Sequence, residues 1–248
     1  MRRSPSELDK MRRAGRVVAE ILVRTRAAIR PGITTLDIDK VSREVIARRG
    51  ARSNFLGYHG FPATVCTSPN DMIVHGIPGS YVLQEGDIIS VDCGAIVEGY
   101  HGDAAYTAPV GDVSPEAIAL MEATEASLWS AIDQIYDGNR LHEIGRAVQK
   151  VAEGAGFSVV RNYVGHGIGT AMHEEPSVPN YWPGSPGPKL KVGNVFAVEP
   201  MVNVGGAGTV ELPDGWSVVT SDGALSAHFE HTIAITEDGP EVFTRTDI

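Results

Sequence analysis

Apolar positions along the chain follow two spacings. Between Ser4 and Gly32, Leu8, Met11, Val18, Ile21, Leu22 and Ile29 fall on a helical stripe. Ser4 suits the N-cap of that helix and Pro5 its first position. Glu7 can close a capping box, and Pro31-Gly32 stops the helix. A shorter helix is predicted from about Leu36 to Arg49, ended by Gly50. Another long helix starts at Ser114-Pro115 and is broken at Asp137-Gly138; a fourth runs from about Leu141 to near Gly154. Elsewhere the spacing shortens to two. "GDIISVDCGAIVEGYHGDAAYTAPV" reads as two strands about a turn near Glu98-Gly99. "NVFAVEPMVNV" and "LSAHFEHTIAIT" alternate as well, and "PDGW" and "SDGA" are turn signals.

This plan occurs twice. "IRPGITTLDIDKVSREVIARRG" and "IYDGNRLHEIGRAVQKVAEGAG" line up with one gap, and each precedes a β-rich segment with a histidine loop, "VHGIPG" and "GHGIG". The expectation is one α+β domain over residues 1–248, made of two pseudo-symmetric helix-helix-sheet halves at about 4–110 and 114–240. Their strands would join in a curved, mainly antiparallel sheet, with helices on one side and a cleft where the halves meet.

Composition narrows the function. A chain of 248 residues with 42% hydrophobic and 21% charged positions can bury a large core unaided. Its net charge of −10 argues against a nucleic-acid binder, which must displace phosphate counterions. It also raises a second reading, in which some carboxylates are metal ligands and not free charges. Cys66 and Cys93 form no CxxC pair, "MRRSPSELDK" has no apolar signal core, and no apolar run approaches a ~18-residue membrane span. A reduced, cytoplasmic protein away from membranes is expected.

The strand acids carry the chemistry. With a two-residue turn at Glu98-Gly99, Asp92 pairs with Ala105 and Gly94 with Asp103. Asp92 and Asp103 then share one face, diagonally opposed, their Cα atoms roughly 7–8 Å apart. Aspartate is depleted in strand interiors, and two on one face need a counter-charge or a proton. Glu199 interrupts "VFAVEPMV" and Glu230 interrupts "AHFEHTIAI", while His166 stands between two glycines, where backbone can approach a ligand closely. Singly, each is an ordinary strand or loop residue. Together, four carboxylates and one imidazole suit a pair of divalent cations better than a structural zinc, which prefers thiolate and imidazole.

At these residues the chain resembles the type I methionine aminopeptidases, members of the pita-bread metallopeptidases. "NDMIVHGIPG", "DCGAIVEGYHGD", "GHGIGTAMHEEP", "FAVEPMV" and "FEHT" occur in that family's order and nearly at its spacings. The resemblance implies the pita-bread fold and removal of the N-terminal methionine from new chains with a small second residue. It implies that Asp92 binds one metal, that His166 and Glu199 bind the other, and that Asp103 and Glu230 bridge both. His75 and His173 match two substrate-facing histidines. Phe55, Tyr58, Phe61, Cys66, Met172 and Trp216 match the methionine pocket. The chemistry expected is attack on the first peptide bond by hydroxide from a water shared between the metals, with His173 at the oxyanion and Glu199 moving the proton. The metals themselves, Co²⁺, Mn²⁺, Fe²⁺ or Zn²⁺, are not distinguished by this ligand set.

Four subsidiary expectations follow. Asn70 and Ser226 match positions that bind a monovalent cation in some relatives. His228 would share a strand face with Glu230, in reach of a supporting role. The arginine-rich first helix is a solvated face or a docking surface for the ribosome, and the chain is expected to be a monomer. The alternatives are a proline-specific aminopeptidase or dipeptidase of the same fold, or a pita-bread module that binds without catalysis.

Overall fold

The computed structural model describes residues 2–246. Four helices form where sequence placed them: α1 (Pro5–Ala28), α2 (Thr35–Arg49), α3 (Pro115–Ile132) and α4 (His142–Gly154). Each start has a local cause. The Glu7 carboxylate accepts from Ser4 N and Ser4 Oγ, both at 2.8 Å. Thr34 and Asp37 bond reciprocally ahead of α2, and Ser114 Oγ accepts from Ala117 N at 3.1 Å. Gly50 ends α2 with φ 61°, the left-handed conformation glycine adopts without strain. α3 closes at Ile132, short of the predicted break at Asp137-Gly138. Successive turns at Gln134 and Ile135 then fold Ile135 fully into the core.

Every strand pairing among the described residues is antiparallel. The hairpin Ile88–Val97/Tyr100–Pro109 turns on Glu98 (φ 50°) and Gly99 (φ 80°), the doubly positive pair that matches strand twist. Its register sets Asp92 opposite Ala105 and Gly94 opposite Asp103. α1 lies along this hairpin and against α2, while α3 packs on α4 and covers strands of the second half. The main core fills the space between helices and sheet, with Ile21, Ile38, Ile88, Leu120, Leu128 and Ile144 sealed from solvent.

The expected single curved sheet is divided into four hydrogen-bonded groups. One division matters for the site. Val195–Val198 pairs with His231–Thr236, and Met201–Asn203 pairs with Ser226–His228, so the same two stretches pair twice. Between the two ladders the pair opens at Glu199-Pro200 on one side and Phe229-Glu230 on the other. Pro200 has no N–H to give a ladder, and only its carbonyl is used, accepting from Phe229 N at 3.3 Å. Both glutamates read as strand interruptions therefore stand in one gap.

The halves meet along Tyr100–Pro109 and residues 228–232. Ala105 and Glu230 exchange backbone hydrogen bonds at 3.3 and 2.9 Å. On either side the strands diverge, and a threonine hydroxyl spans each gap. Thr232 Oγ1 accepts from Asp103 N at 2.9 Å and donates to Asp103 O at 2.7 Å. Thr107 Oγ1 accepts from His228 N at 2.8 Å and donates to His228 O at 2.9 Å. In each half the threonine lies two residues after the central pair and grips the residue two before it in the other half. The seam thus has its own local two-fold symmetry.

Gly145 shows how tightly α4 is seated. A Cβ there would lie 2.4 Å from both Pro179 O and Tyr181 O. Replacing a helix glycine by alanine ordinarily stabilises by about 1 kcal/mol. Here Gly145→Ala should instead destabilise by about 1–3 kcal/mol, the usual range for overpacking. Gly154→Ala, with open space at its Cβ, should be neutral or stabilising. Denaturant midpoints of the two variants check the opposite signs.

Candidate metal centre and active site

One cleft at the seam, about 140 Å³ in volume, is lined by Phe55, Tyr58, Phe61, Cys66, His75, Asp92, Asp103, His166, Met172, His173, Glu199, Trp216 and Glu230. All the catalytic, metal and pocket positions named from sequence converge there. The hairpin contributes Asp92 and Asp103, the strand Gly165–Gly167 contributes His166, and the opened ladder contributes Glu199 and Glu230.

The acids are arranged for a cation. Asp92 Oδ1, Asp103 Oδ1 and Glu230 Oε1 are buried without a hydrogen-bond donor. Ligand atoms of Asp103, His166 and Glu230 lie within 4.8 Å of one another. Glu199 Oε1 is 3.5 Å from His166 Nε2 and Glu199 Oε2 is 3.8 Å from His228 Nε2, close contacts with two imidazoles that burial keeps neutral. Burial drives the Asp92 carboxyl up to about 8. Burial, reinforced by the neighbouring carboxylates, lifts Asp103, Glu199 and Glu230 well above the ordinary range. Orphaned carboxylate oxygens in so tight a group fit divalent cations, which supply the missing charge.

His166 is held as a neutral imidazole whose free nitrogen could serve as a ligand. Its Nδ1 lies 2.9 Å from Gly167 O, and donation to that carbonyl leaves the Nε2 lone pair facing the acids. Burial lowers its pKa to about 4. The flanking glycines act differently from expectation: a Cβ on Gly165 would meet Ala197 O at 2.4 Å, and one on Gly167 would meet Glu175 O at 2.5 Å. They let neighbouring strands close on His166, not the backbone close on a ligand.

His173 packs edge-on to His166, ring centroids 4.3 Å apart, and its Nδ1 is 2.8 Å from Tyr58 Oη. Burial lowers its pKa, which favours the neutral imidazole. His75 holds a left-handed backbone (φ 62°), which is strained for a residue with a Cβ, and packs edge-on to Trp216 and Tyr163. Burial brings it to about 4. Phe55, Phe61, Cys66 and Met172 form a buried apolar cluster with Tyr58 and Trp216 against it. The Asp214 carboxylate accepts from Trp216 N at 2.9 Å and Ser217 N at 2.8 Å, setting the turn that presents the indole. Burial, then the nearby Asp92, pushes the Cys66 thiol well up, so it is a wall and not a nucleophile.

One contact pair is not legible in the sequence. Glu174, directly after His173, is no ligand. Its Oε1 accepts from Thr170 N at 2.8 Å and Ala171 N at 3.2 Å, and its other oxygen pairs with Arg3. Arg3 is 7% exposed, not part of a solvated basic face. This pair fixes the loop bearing Met172 and His173. The strand that ends at His228 stops short of Glu230, and His228 instead faces Glu199, with its Nε2 buried and unpartnered by a hydrogen bond. Asn70 O accepts from Ser226 N at 2.9 Å, and Asn70 Oδ1 from Ile88 N at 3.1 Å.

Fold and donor set together define a metal-dependent hydrolase. The chain belongs to metallopeptidase family M24, whose profile matches residues 9–237. It is 49% identical over 243 residues to methionine aminopeptidase 1 of Bacillus subtilis (strain 168), covering 98% of each chain. It is 48% identical to the methionine aminopeptidase of Clostridium perfringens (strain 13 / Type A), covering 98% of this chain and 97% of that protein. The crystal structure of methionine aminopeptidase from Rickettsia prowazekii superposes with a TM-score of 0.96 at 39% identity, over 99% of both chains.

A carboxyl whose folded pKa is raised binds more protons folded than unfolded, so its stability contribution is lost as pH rises. For Asp92 the window runs from its ordinary 3.8 to about 8. The metal-free protein should therefore lose thermal stability across that window. Metal uptake at pH 7 should release protons, read by calorimetry in buffers of different ionisation enthalpy. Uptake without proton release would contradict the electrostatics of the cleft.

Proposed function

We propose that the protein is a metallo-aminopeptidase that removes the N-terminal methionine from newly made proteins and peptides with a small second residue. The observation carrying this reading is the juxtaposition, in one cleft, of four buried carboxylates and His166 with a closed apolar pocket. Relatives at about half identity over nearly the whole chain bear the corresponding name.

Asp92, Asp103, His166, Glu199 and Glu230 would hold two divalent ions, drawn from Mn²⁺, Fe²⁺, Co²⁺ or Zn²⁺ by supply. When bound, such ions acidify water towards neutral pH and polarise a carbonyl. The chain's own residues do the rest. The unbranched methionine side chain fills the pocket of Phe55, Tyr58, Phe61, Cys66, Met172 and Trp216, where the thioether meets aromatic edges. The free α-amino group lies among the acids, which restricts cleavage to the first peptide bond. Tyr58 Oη donates to His173 Nδ1, leaving His173 Nε2–H to bond the carbonyl oxygen as it gains charge. His75 binds at the amide nitrogen. Glu199, its main chain held by Asn180 Nδ2 at 3.0 Å, receives a proton from the attacking water and delivers it to the leaving amine.

The same reading covers the setting. The substrates are nascent N-termini in the cytoplasm, met by a monomer. No helix among the described residues is long and apolar enough to cross a membrane. Ribosome contact through α1 would rest on the exposed Arg16 and Arg24, with Arg30 just past its end, because Arg12 is engaged by Asp9 and Glu241, and Arg13 by Glu98. A monovalent cation beside Asn70 and Ser226 would use the remaining lone pairs of oxygens that already accept main-chain N–H groups.

Metal-reconstituted protein should cleave Met-Ala-Ser and leave Ala-Pro peptides intact; the reverse preference would favour a proline-specific enzyme. Asp103→Asn should lose one metal equivalent and more than about 100-fold in activity, beyond the 10–100-fold typical of a supporting residue. Wild-type turnover by that variant would refute the bridging role. Glu174→Ala should keep full metal stoichiometry yet lower kcat/KM on Met-Ala-Ser about tenfold, because the His173 loop loses its anchor.

A further inference from the structure

The hydroxyls of Thr107 and Thr232 do more than fill the seam. Thr232 is fully buried and Thr107 is 3% exposed. Each hydroxyl serves both the N–H and the C=O of one residue in the opposite half, as a paired strand would. The residue gripped by Thr232 is Asp103. The residue gripped by Thr107 is His228, two positions before Glu230 in a segment that leaves its ladder at that point. Thr107 is itself fixed from behind, 2.8 Å from Ser90 Oγ.

The side chains of Asp103 and Glu230 leave a buried oxygen each without a donor, and the hydrogen bond that the Asp103 carboxylate does receive comes from the adjacent main chain at Ala104. Their positions come from the main chain. Around Asp103 and Glu230 the main chain is tied across the halves by the backbone pair Ala105–Glu230 and by these two hydroxyls, with His101 N donating to Gly169 O at 2.8 Å further along the strand. The two grips are equivalent by the local two-fold.

We propose that Thr107 and Thr232 are positioning residues for the metal centre: their hydroxyls set the separation of Asp103 and Glu230, and so the affinity for the second cation. This rests on the metal-centre reading above. A hydroxyl is required and a β-branch is not, so serine suffices at either position and valine, of equal shape, does not.

Mn²⁺ titrated calorimetrically into chelator-treated full-length protein tests this, with thermal unfolding of each metal-free variant alongside. Wild type should take up two equivalents. Thr232→Val should bind one of them about 10–100-fold more weakly, the usual effect of removing support behind a ligand. Thr232→Ser should bind as wild type. Thr107→Val and Thr107→Ser should repeat the pattern, which keeps the question answerable if Thr232→Val does not fold. kcat on Met-Ala-Ser should fall with occupancy while KM stays within about twofold, since no pocket residue is touched. A merely structural role predicts lower metal-free melting temperatures with both equivalents bound at wild-type affinity. That result overturns the inference alone, whereas a wild type that takes up no metal overturns the metal centre itself.

Discussion

Four carboxylates buried around one point lose their hydration and repel each other, and three of them keep an oxygen without a hydrogen-bond donor among the described residues. That burial of charge is the constraint to which the surrounding structure answers. Asp92, Asp103, Glu199 and Glu230 are all lifted well above ordinary carboxyl behaviour. A fold that kept such a cluster for packing alone would lose stability by it. The cluster is tolerable when the charge is supplied from outside, as cations or, at low pH, as protons. The neutral histidines follow from the same logic. Burial that raises the acids also keeps His75, His166 and His173 uncharged, so they present lone pairs and N–H groups and no competing positive charge.

Converging acids from distant parts of a chain requires the sheet to be interrupted. An unbroken ladder would place Glu199 and Glu230 in a pleat with backbone groups satisfied and side chains spread along the strands. The opening at Glu199-Pro200 and Phe229-Glu230 turns the acids inward together, and Pro200 keeps it from closing. The first half achieves convergence by another route. There the hairpin is unbroken, and its register alone places Asp92 and Asp103 diagonally on one face.

This difference explains what could be read from sequence. The hairpin was legible because its turn chemistry is local: Glu98-Gly99 fixes the pairing, and the pairing fixes Asp92 against Asp103. The helices were legible for the same reason, through the starts at Ser4 and Ser114 and the stop at Gly50, while the Thr34 cap of α2 appeared only in the structure. The resemblance to a known family supplied what locality does not, namely that His75, His173 and six pocket residues share the cleft with the acids. What neither revealed depends on tertiary contact. The glycines around His166 serve neighbouring strands, a fact visible only once Ala197 and Glu175 are in place. Glu174 finds Arg3 across most of the chain, and Arg3 looked like one more solvent-facing charge. The threonine grips lie between residues far apart in sequence, on strands whose alternation gave no hint of divergence.

The two-fold seam has a consequence for assembly. If each half were a separate polypeptide, the same contacts would form a dimer, and the cleft would vanish on dilution. Joining the halves through the segment before α3 converts that encounter into an intramolecular one, with an effective concentration in the millimolar range for a short connection. Formation of the cleft is then first-order and indifferent to how scarce the protein is. The covalent link also frees the halves to differ, so equivalent places on a symmetric scaffold can carry Asp103 on one side and His228 on the other.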